Sequence, residues 1–436
     1  MRSTLAQQRL NLDPDEEDPL RHRLLPALIA VTAGAAVLSV SAATLVTTTA
    51  AAAPVRQPTL TGRAVLPALT FGPGGPSGSA ISPANGVTPP FRGQPVQGFS
   101  ALIESGRPGG YLALSDNGYG SKANSADFLL RAHRIRPDLT TGNVALEGFL
   151  SFSDPRGLAG QPLTRADRLL TGADFDPESI RRTADGTYWV GEEFGPSLLH
   201  FSAAGELMQA PVRFTLPNGF GPGLVRSPDA PEIVAGTAPA ASANLPRSRG
   251  IEGMALSTDG RTLYPSLEGA LTADTDQRRR FVYAFDVATG TFRSQTASFR
   301  LSAPGNAIGD LTAAGRDSLL VIDRDNAQGT AARTKKIAVV DIGRFTGDLP
   351  VRPLVDLLDL ANPGLVGGPS DPASVGLGDP FGFPFQTVES VLVKDPRTLL
   401  VADDNNFPFS SGRRPGVPDD NEIIEIRLPA PLPVGQ

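Results

Sequence analysis

The chain has no cysteine among its 436 residues, which excludes disulfide cross-links, thiolate nucleophiles and cysteine-ligated metals. Histidine is almost as scarce, with three in all, and His22 lies in the polar stretch that opens the chain. His133 and His200 sit in strand-like apolar surroundings and read as structural, leaving little material for a Ser-His triad or a histidine-ligated zinc. No G-x-S-x-G elbow occurs. The nearest string, Gly75-Pro76-Ser77-Gly78-Ser79, lies in a Pro-rich stretch with no strand before it and no helix after it. Excess positive charge is missing too: 39 Lys and Arg stand against 45 Asp and Glu, so no basic field exists for a polyphosphate backbone and nucleic acid is not an expected partner. The single tryptophan, Trp189, reads as packing between structural units rather than stacking on a sugar.

With 40% hydrophobic and 19% charged residues, the chain is globular and can bury a substantial core. Its 47 Gly and 41 Pro imply many turns between short strands. A polar leader with the acidic run Asp13 to Asp18 ends in Arg21-His22-Arg23 and passes into an apolar stretch from Leu24 to Val46. Ala51 and Ala53 then form an A-x-A exit before Pro54. Residues 1–53 therefore read as a secretory signal cleaved near Ala53, with an uncleaved N-terminal membrane anchor as the alternative. The expected location is secreted or cell-envelope, with no membrane association after cleavage. Residues 54–91 read as a Gly/Pro/Ser-rich linker, within which 62–70 offers a ring-closing strand that Pro67 restricts to an edge. The main domain spans 92–430, followed by a tail at 431–436.

One pattern recurs five times: a leading small or acidic residue, an apolar strand, a turn, a second apolar strand and a trailing acidic cluster. Leading and trailing positions are Ser100 and Asp116, Glu178 and Glu192, Glu252 and Glu268, Asp310 and Asp323, Glu389 and Asp403. Their separations of 16, 14, 16, 13 and 14 residues describe antiparallel hairpins whose outer ends lie side by side. A further strand pair follows each unit, as at Leu198 to Leu207, Phe281 to Phe292, Lys336 to Ile342 and Glu422 to Leu428. Two hairpins per repeat make the fold an all-β propeller of four-stranded blades, with five units visible and five to seven blades allowed. A sandwich of unrelated hairpins is the competing architecture.

Ser115-Asp116-Asn117-Gly118, the run from Thr171 to Ser179, Trp189-Val190-Gly191-Glu192-Glu193-Phe194-Gly195-Pro196, and Ile251 to Ser257 followed by Leu263 to Glu268 resemble the phytase-like family, also described as esterase-like activity of phytase. The resemblance runs from about residue 60 to 430. It implies an exported propeller that hydrolyses phosphate or carboxylic esters, by comparison with calcium-dependent propeller phytases.

The residues themselves permit that chemistry. Neighbouring carboxylates cannot all ionise in one small space unless a cation sits among them, and an oxygen-only ligand set suits Ca²⁺. Metal ligands are expected among Asp116, Glu268, Asp310, Asp323, Asp325, Glu389, Asp403 and Asp404, and catalytic carboxylates among Glu178, Glu192, Glu193 and Glu252. Lys122, Arg249 and Arg324 lie beside rim positions and suit an anionic substrate group. Asp323-Arg324-Asp325-Asn326 begins like an EF-hand loop but lacks its Gly and distal Glu. The expected partner is a small phosphate or ester substrate and the expected state a monomer. The alternative is a non-catalytic, calcium-stabilised propeller that binds a ligand or a cell-surface polymer.

Overall fold

A computed structural model describes residues 57–433, so the expected signal segment and its anchor alternative lie outside the described residues. Five antiparallel four-stranded units follow one another along the chain. The first comprises Ala101–Glu104, Tyr111–Leu114, Arg131–Asp138 and Asn143–Ser151, and the second Pro177–Arg182, Tyr188–Glu192, Ser197–Phe201 and Val212–Arg213. Ile251–Leu256, Thr262–Leu267, Arg279–Asp286 and Thr291–Arg300 form the third. The fourth holds Ala307–Ala313, Ser318–Arg324, Lys335–Asp341 and Val351–Asp356. The fifth combines Thr387–Asp395, Thr398–Asp404 and Asn421–Arg427 with an outermost strand from the other end of the chain, Thr59–Leu66. The leading strand of each unit packs against that of the next, and the fifth against the first, which closes a propeller ring.

Period-two alternation explains why the strands stack this way. In the fourth unit Leu319 and Val321 pack toward the third, while Leu320 and Ile322 pack toward the fifth. In the fifth, Leu399 and Val401 face the fourth, whereas Leu400 and Ala402 face the first. Both faces of each blade are thus buried, so the strands read as unbroken apolar runs instead of the half-polar alternation of a solvent-facing sheet. Trp189 is buried in the core between the second and third blades, stacked on His200 at 4.1 Å and edge-on to Phe285. His133 is wholly buried, and desolvation pushes its pKa down to about 3.

Leading strands of neighbouring blades approach closely enough at Gly309 to leave no room for a side chain there. A Cβ on Gly309 would stand 1.9 Å from the Val388 carbonyl oxygen of the next blade. We expect Gly309→Ala to destabilise the fold by about 3 kcal/mol, because the obstruction is backbone and cannot swing aside. Urea unfolding measures this, and a loss below about 1 kcal/mol would refute such tight packing.

Candidate functional site

The leading strands carry a bulge at the same place in four blades. Pairing skips Glu178 between Pro177 and Ser179, Glu252 between Ile251 and Gly253, and Glu389 between Val388 and Ser390; in the fourth blade it is interrupted between Ile308 and Leu311. A bulge leaves its extra residue unpaired and re-aims the side chain. Here it turns three glutamates inward, and one carboxylate oxygen from each of Glu178, Glu252 and Glu389 comes within 4.8 Å of the others.

The bulges also correct the register read from sequence. Pro177 faces Glu192, Ile308 faces Asp323 and Val388 faces Asp403, so the inner trailing position lies one residue later, at Glu193, Arg324 and Asp404. Glu268 and Asp116 already occupy that place in their blades. On this register the separations become 16, 15, 16, 15 and 15, with Gly309 replacing a leading glutamate in the fourth blade and Arg324 replacing a trailing acid. That blade supplies a cation where the others supply anions.

Arg324 is buried, and its Nη2 lies 2.8 Å from Glu389, 2.9 Å from Glu268 and 3.4 Å from Glu252. Arg249 pairs with the other oxygen of Glu268. A second trio, Asp176, Glu178 and Glu193, shares Glu178 with the first and again brings oxygens within 4.8 Å. Asn117 holds Asp176 through its backbone N–H at 3.1 Å and its side-chain amide at 2.7 Å. Asp176 escaped the expected set although it stands two residues before Glu178; the signal was the paired acid spacing Asp176-Pro177-Glu178 itself.

Other expected residues are occupied elsewhere. Asp310 points across the ring to Arg181 at 3.1 Å and also accepts from the Val391 and Leu311 amides. Asp323 caps the loop at Ser302 and Asn306, and Asp325 pairs with Lys335 at 3.0 Å while accepting from Arg333 and Thr334. Asp403 turns outward to the Glu422 amide. Glu192 accepts from the Phe194 and Gly195 amides and the Ser197 hydroxyl. Each lies one residue or one strand face away from the axis, so adjacency in sequence does not place it at the centre. Burial, then the neighbouring Asp116, raises the proton affinity of Asp404. Lys122 lines a cleft beside Glu192.

Burial and like charge dominate the centre's electrostatics. Desolvation, then Asp176, pushes Asp116 up to about 8. Asp176 rises to about 6, first through burial. Burial also lifts Glu178, Glu193 and Glu252 well above the carboxylate range, reinforced by Asp176, Glu268 and Glu389 respectively. Such a site holds either protons or a cation at neutral pH. Oε1 of Glu193 is fully buried without a hydrogen-bond partner among the described residues, an orphaned acceptor within a carboxylate trio. Oxygen-only donors, several carboxylates and an unspent acceptor fit Ca²⁺.

The sign of the pH dependence follows. Asp116 ordinarily releases its proton near 3.8, whereas the folded centre keeps it up to about 8. Between those values the folded state binds more protons than the unfolded one, so stability falls as pH rises. In chelator, the melting temperature is expected to drop between pH 5 and pH 8, and added calcium to remove most of that drop; a flat profile in chelator contradicts the buried-acid electrostatics.

The phytase-like family, described as esterase-like activity of phytase, matches residues 94–407. The chain belongs to this family. All the acidic blades' leading and trailing residues named above, from Ser100 to Asp404, fall within the matched range of this phytase-like protein. It is also 33% identical over 112 residues to an uncharacterized secreted protein of Arthroderma benhamiae, a stretch covering 24% of this chain and 22% of that one. Among solved structures it is similar to a GH43 β-1,3-galactosidase, at 10% identity and TM-score 0.39 over 76% of this chain and 91% of that one. A calcium-binding regucalcin from Agrobacterium tumefaciens matches at 11% identity and TM-score 0.34, over 87% and 98% of the two chains. Likenesses of this size say nothing of activity. No helix among the described residues is long and apolar enough to cross a membrane.

Proposed function

We propose that this phytase-like protein is an exported, calcium-assisted hydrolase of phosphate esters or related esters, working at the acidic centre of the ring. The observation that carries the reading is the pair of carboxylate trios sharing Glu178, with the buried Oε1 of Glu193 unpartnered. Asp176, Glu178 and Glu193 would hold the ion, and Glu178 also belongs to the trio with Glu252 and Glu389. A calcium ion held there would supply positive charge able to polarise an ester oxygen. The chain's own groups do the rest. Glu252, its proton affinity raised by burial and by Glu389, accepts the proton of an attacking water. Arg324 fixes Glu252, Glu268 and Glu389 in place, and Arg249 and Lys122 flank the centre to orient an anionic substrate group. Family membership and the secreted relative support the hydrolase class and export.

The test is hydrolysis by the purified, calcium-supplied protein across phosphomonoester, phosphodiester, phytate and acyl-ester substrates. Turnover that chelator abolishes and calcium restores is the expected result. A calcium-dependent rise in melting temperature without turnover on any of them would assign the centre a stabilising role and defeat the hydrolase reading.

A further inference from the structure

Beside the acidic centre lies a cleft of about 700 Å³, within the usual size of small-molecule sites. Its walls come from four parts of the chain: the first blade's loop at Lys122, the loop at residues 159–162, the second blade's loops around Phe175, Phe194 and Pro211, and the insertion that carries the short helix Pro231–Val234. Phe175 and Phe194 are buried, whereas Val234 is 62% exposed and adds an accessible aliphatic surface to the cleft.

The polar groups of this cleft are matched internally, with one exception. Glu192 is taken up by two amides and a hydroxyl. Asp174 accepts from the backbone and hydroxyls of Thr164 and Thr171, and Glu232 is held by Arg213 and Arg226. Lys122 is different. Its ammonium lies 4.0 Å over the Phe194 ring and donates to one acceptor among the described residues, the Ala173 carbonyl at 3.3 Å. This ammonium is part-buried and no carboxylate is bound to it, so an anion entering the cleft could pair with it directly. Burial lowers its pKa while Glu192, Asp229 and Asp176 act to raise it, which puts it within the field of the acidic centre.

We propose that this cleft binds the apolar body of an anionic monoester, its single anionic group at Lys122 and its aliphatic or aromatic part against Phe175, Phe194, Pro211 and Val234. The inference rests on the hydrolase reading for its role and names the substrate class: amphipathic monoesters in preference to polyanions. A highly phosphorylated ligand would press several charges onto walls whose second cation, Arg213, is already paired with Glu232, leaving Lys122 alone to meet them.

Binding without turnover tests it. The probes are 1-naphthylmethylphosphonate, which is not hydrolysed, methylphosphonate, which lacks the ring, and myo-inositol hexakisphosphate. The calcium-loaded protein is expected to bind the naphthyl compound at least about tenfold more tightly than methylphosphonate, from burial of the ring. Lys122→Gln is expected to weaken naphthyl binding about tenfold through loss of the charge-assisted contact. Val234→Asp, at an exposed position that leaves folding intact, is expected to weaken naphthyl binding while sparing methylphosphonate. Equal affinity for the two phosphonates, tighter binding of the hexakisphosphate, or no effect of Val234→Asp would each overturn the proposal. Naphthyl binding with these properties in a protein that hydrolyses nothing would refute the hydrolase reading alone; turnover without the naphthyl preference would refute the cleft assignment alone.

Discussion

Glu178→Gln is expected to weaken calcium binding by at least about 100-fold, because residues that merely support metal ligands already account for 10- to 100-fold and Glu178 belongs to both carboxylate trios. The substitution keeps the side chain's shape and deletes one charge. That deletion has a second consequence of opposite sign. Asp176, Glu252, Glu389 and Glu193 all disfavour the Glu178 carboxylate, so the variant is expected to melt higher than the wild type in chelator and lower in saturating calcium. A crossing of the two melting curves separates a ligand from a residue that only fills space, whose loss would shift both curves the same way. Unchanged calcium affinity by calorimetry would remove the metal centre from this place in the ring.

Arg324→Met is expected to lower stability by about 3–5 kcal/mol in the absence of calcium, the usual effect of removing one partner from a buried charge cluster. Three carboxylates, Glu252, Glu268 and Glu389, lose their common counter-charge together. Calcium is expected to restore part of this loss, since an ion near Glu252 and Glu389 replaces some of the missing positive charge. If urea unfolding in chelator shows less than about 1 kcal/mol of destabilisation, the acids carry protons enough to need no counter-ion, and Arg324 serves another purpose.

Much of the architecture was legible in the sequence because blade packing obeys a simple period. Runs such as Leu319-Leu320-Val321-Ile322 and Leu399-Leu400-Val401-Ala402 announce strands buried on both faces, and their recurrence with acidic ends announces repeats. Hairpin offsets brought the right strand ends together but missed by one residue in three blades. A bulge is invisible to alternation: it inserts a residue without altering the apolar pattern on either side, so Glu193 and Asp404 looked secondary to Glu192 and Asp403. Arg324 stood beside an expected acid and read as a substrate contact, whereas three-dimensional register makes it the fourth blade's contribution to the ring. The pair of Asp310 with Arg181 joins residues 129 positions apart, and no local spacing encodes it.

The fifth blade has an implication for how the protein comes into being. Three of its strands are synthesised last, and its outermost strand, Thr59–Leu66, is among the earliest parts of the propeller to be made. Arg63 meets Glu422 across 359 residues of chain. Such distant pairing is slow to form, so the first strand must wait, unpaired along that edge, until Asn421–Arg427 has been made. Glu389 and Asp404 belong to the same late blade, so the acidic centre acquires its full charge only when the circle shuts. A nascent or clipped chain therefore lacks the trio of Glu178, Glu252 and Glu389, and the centre's full carboxylate set is a property of closed rings alone.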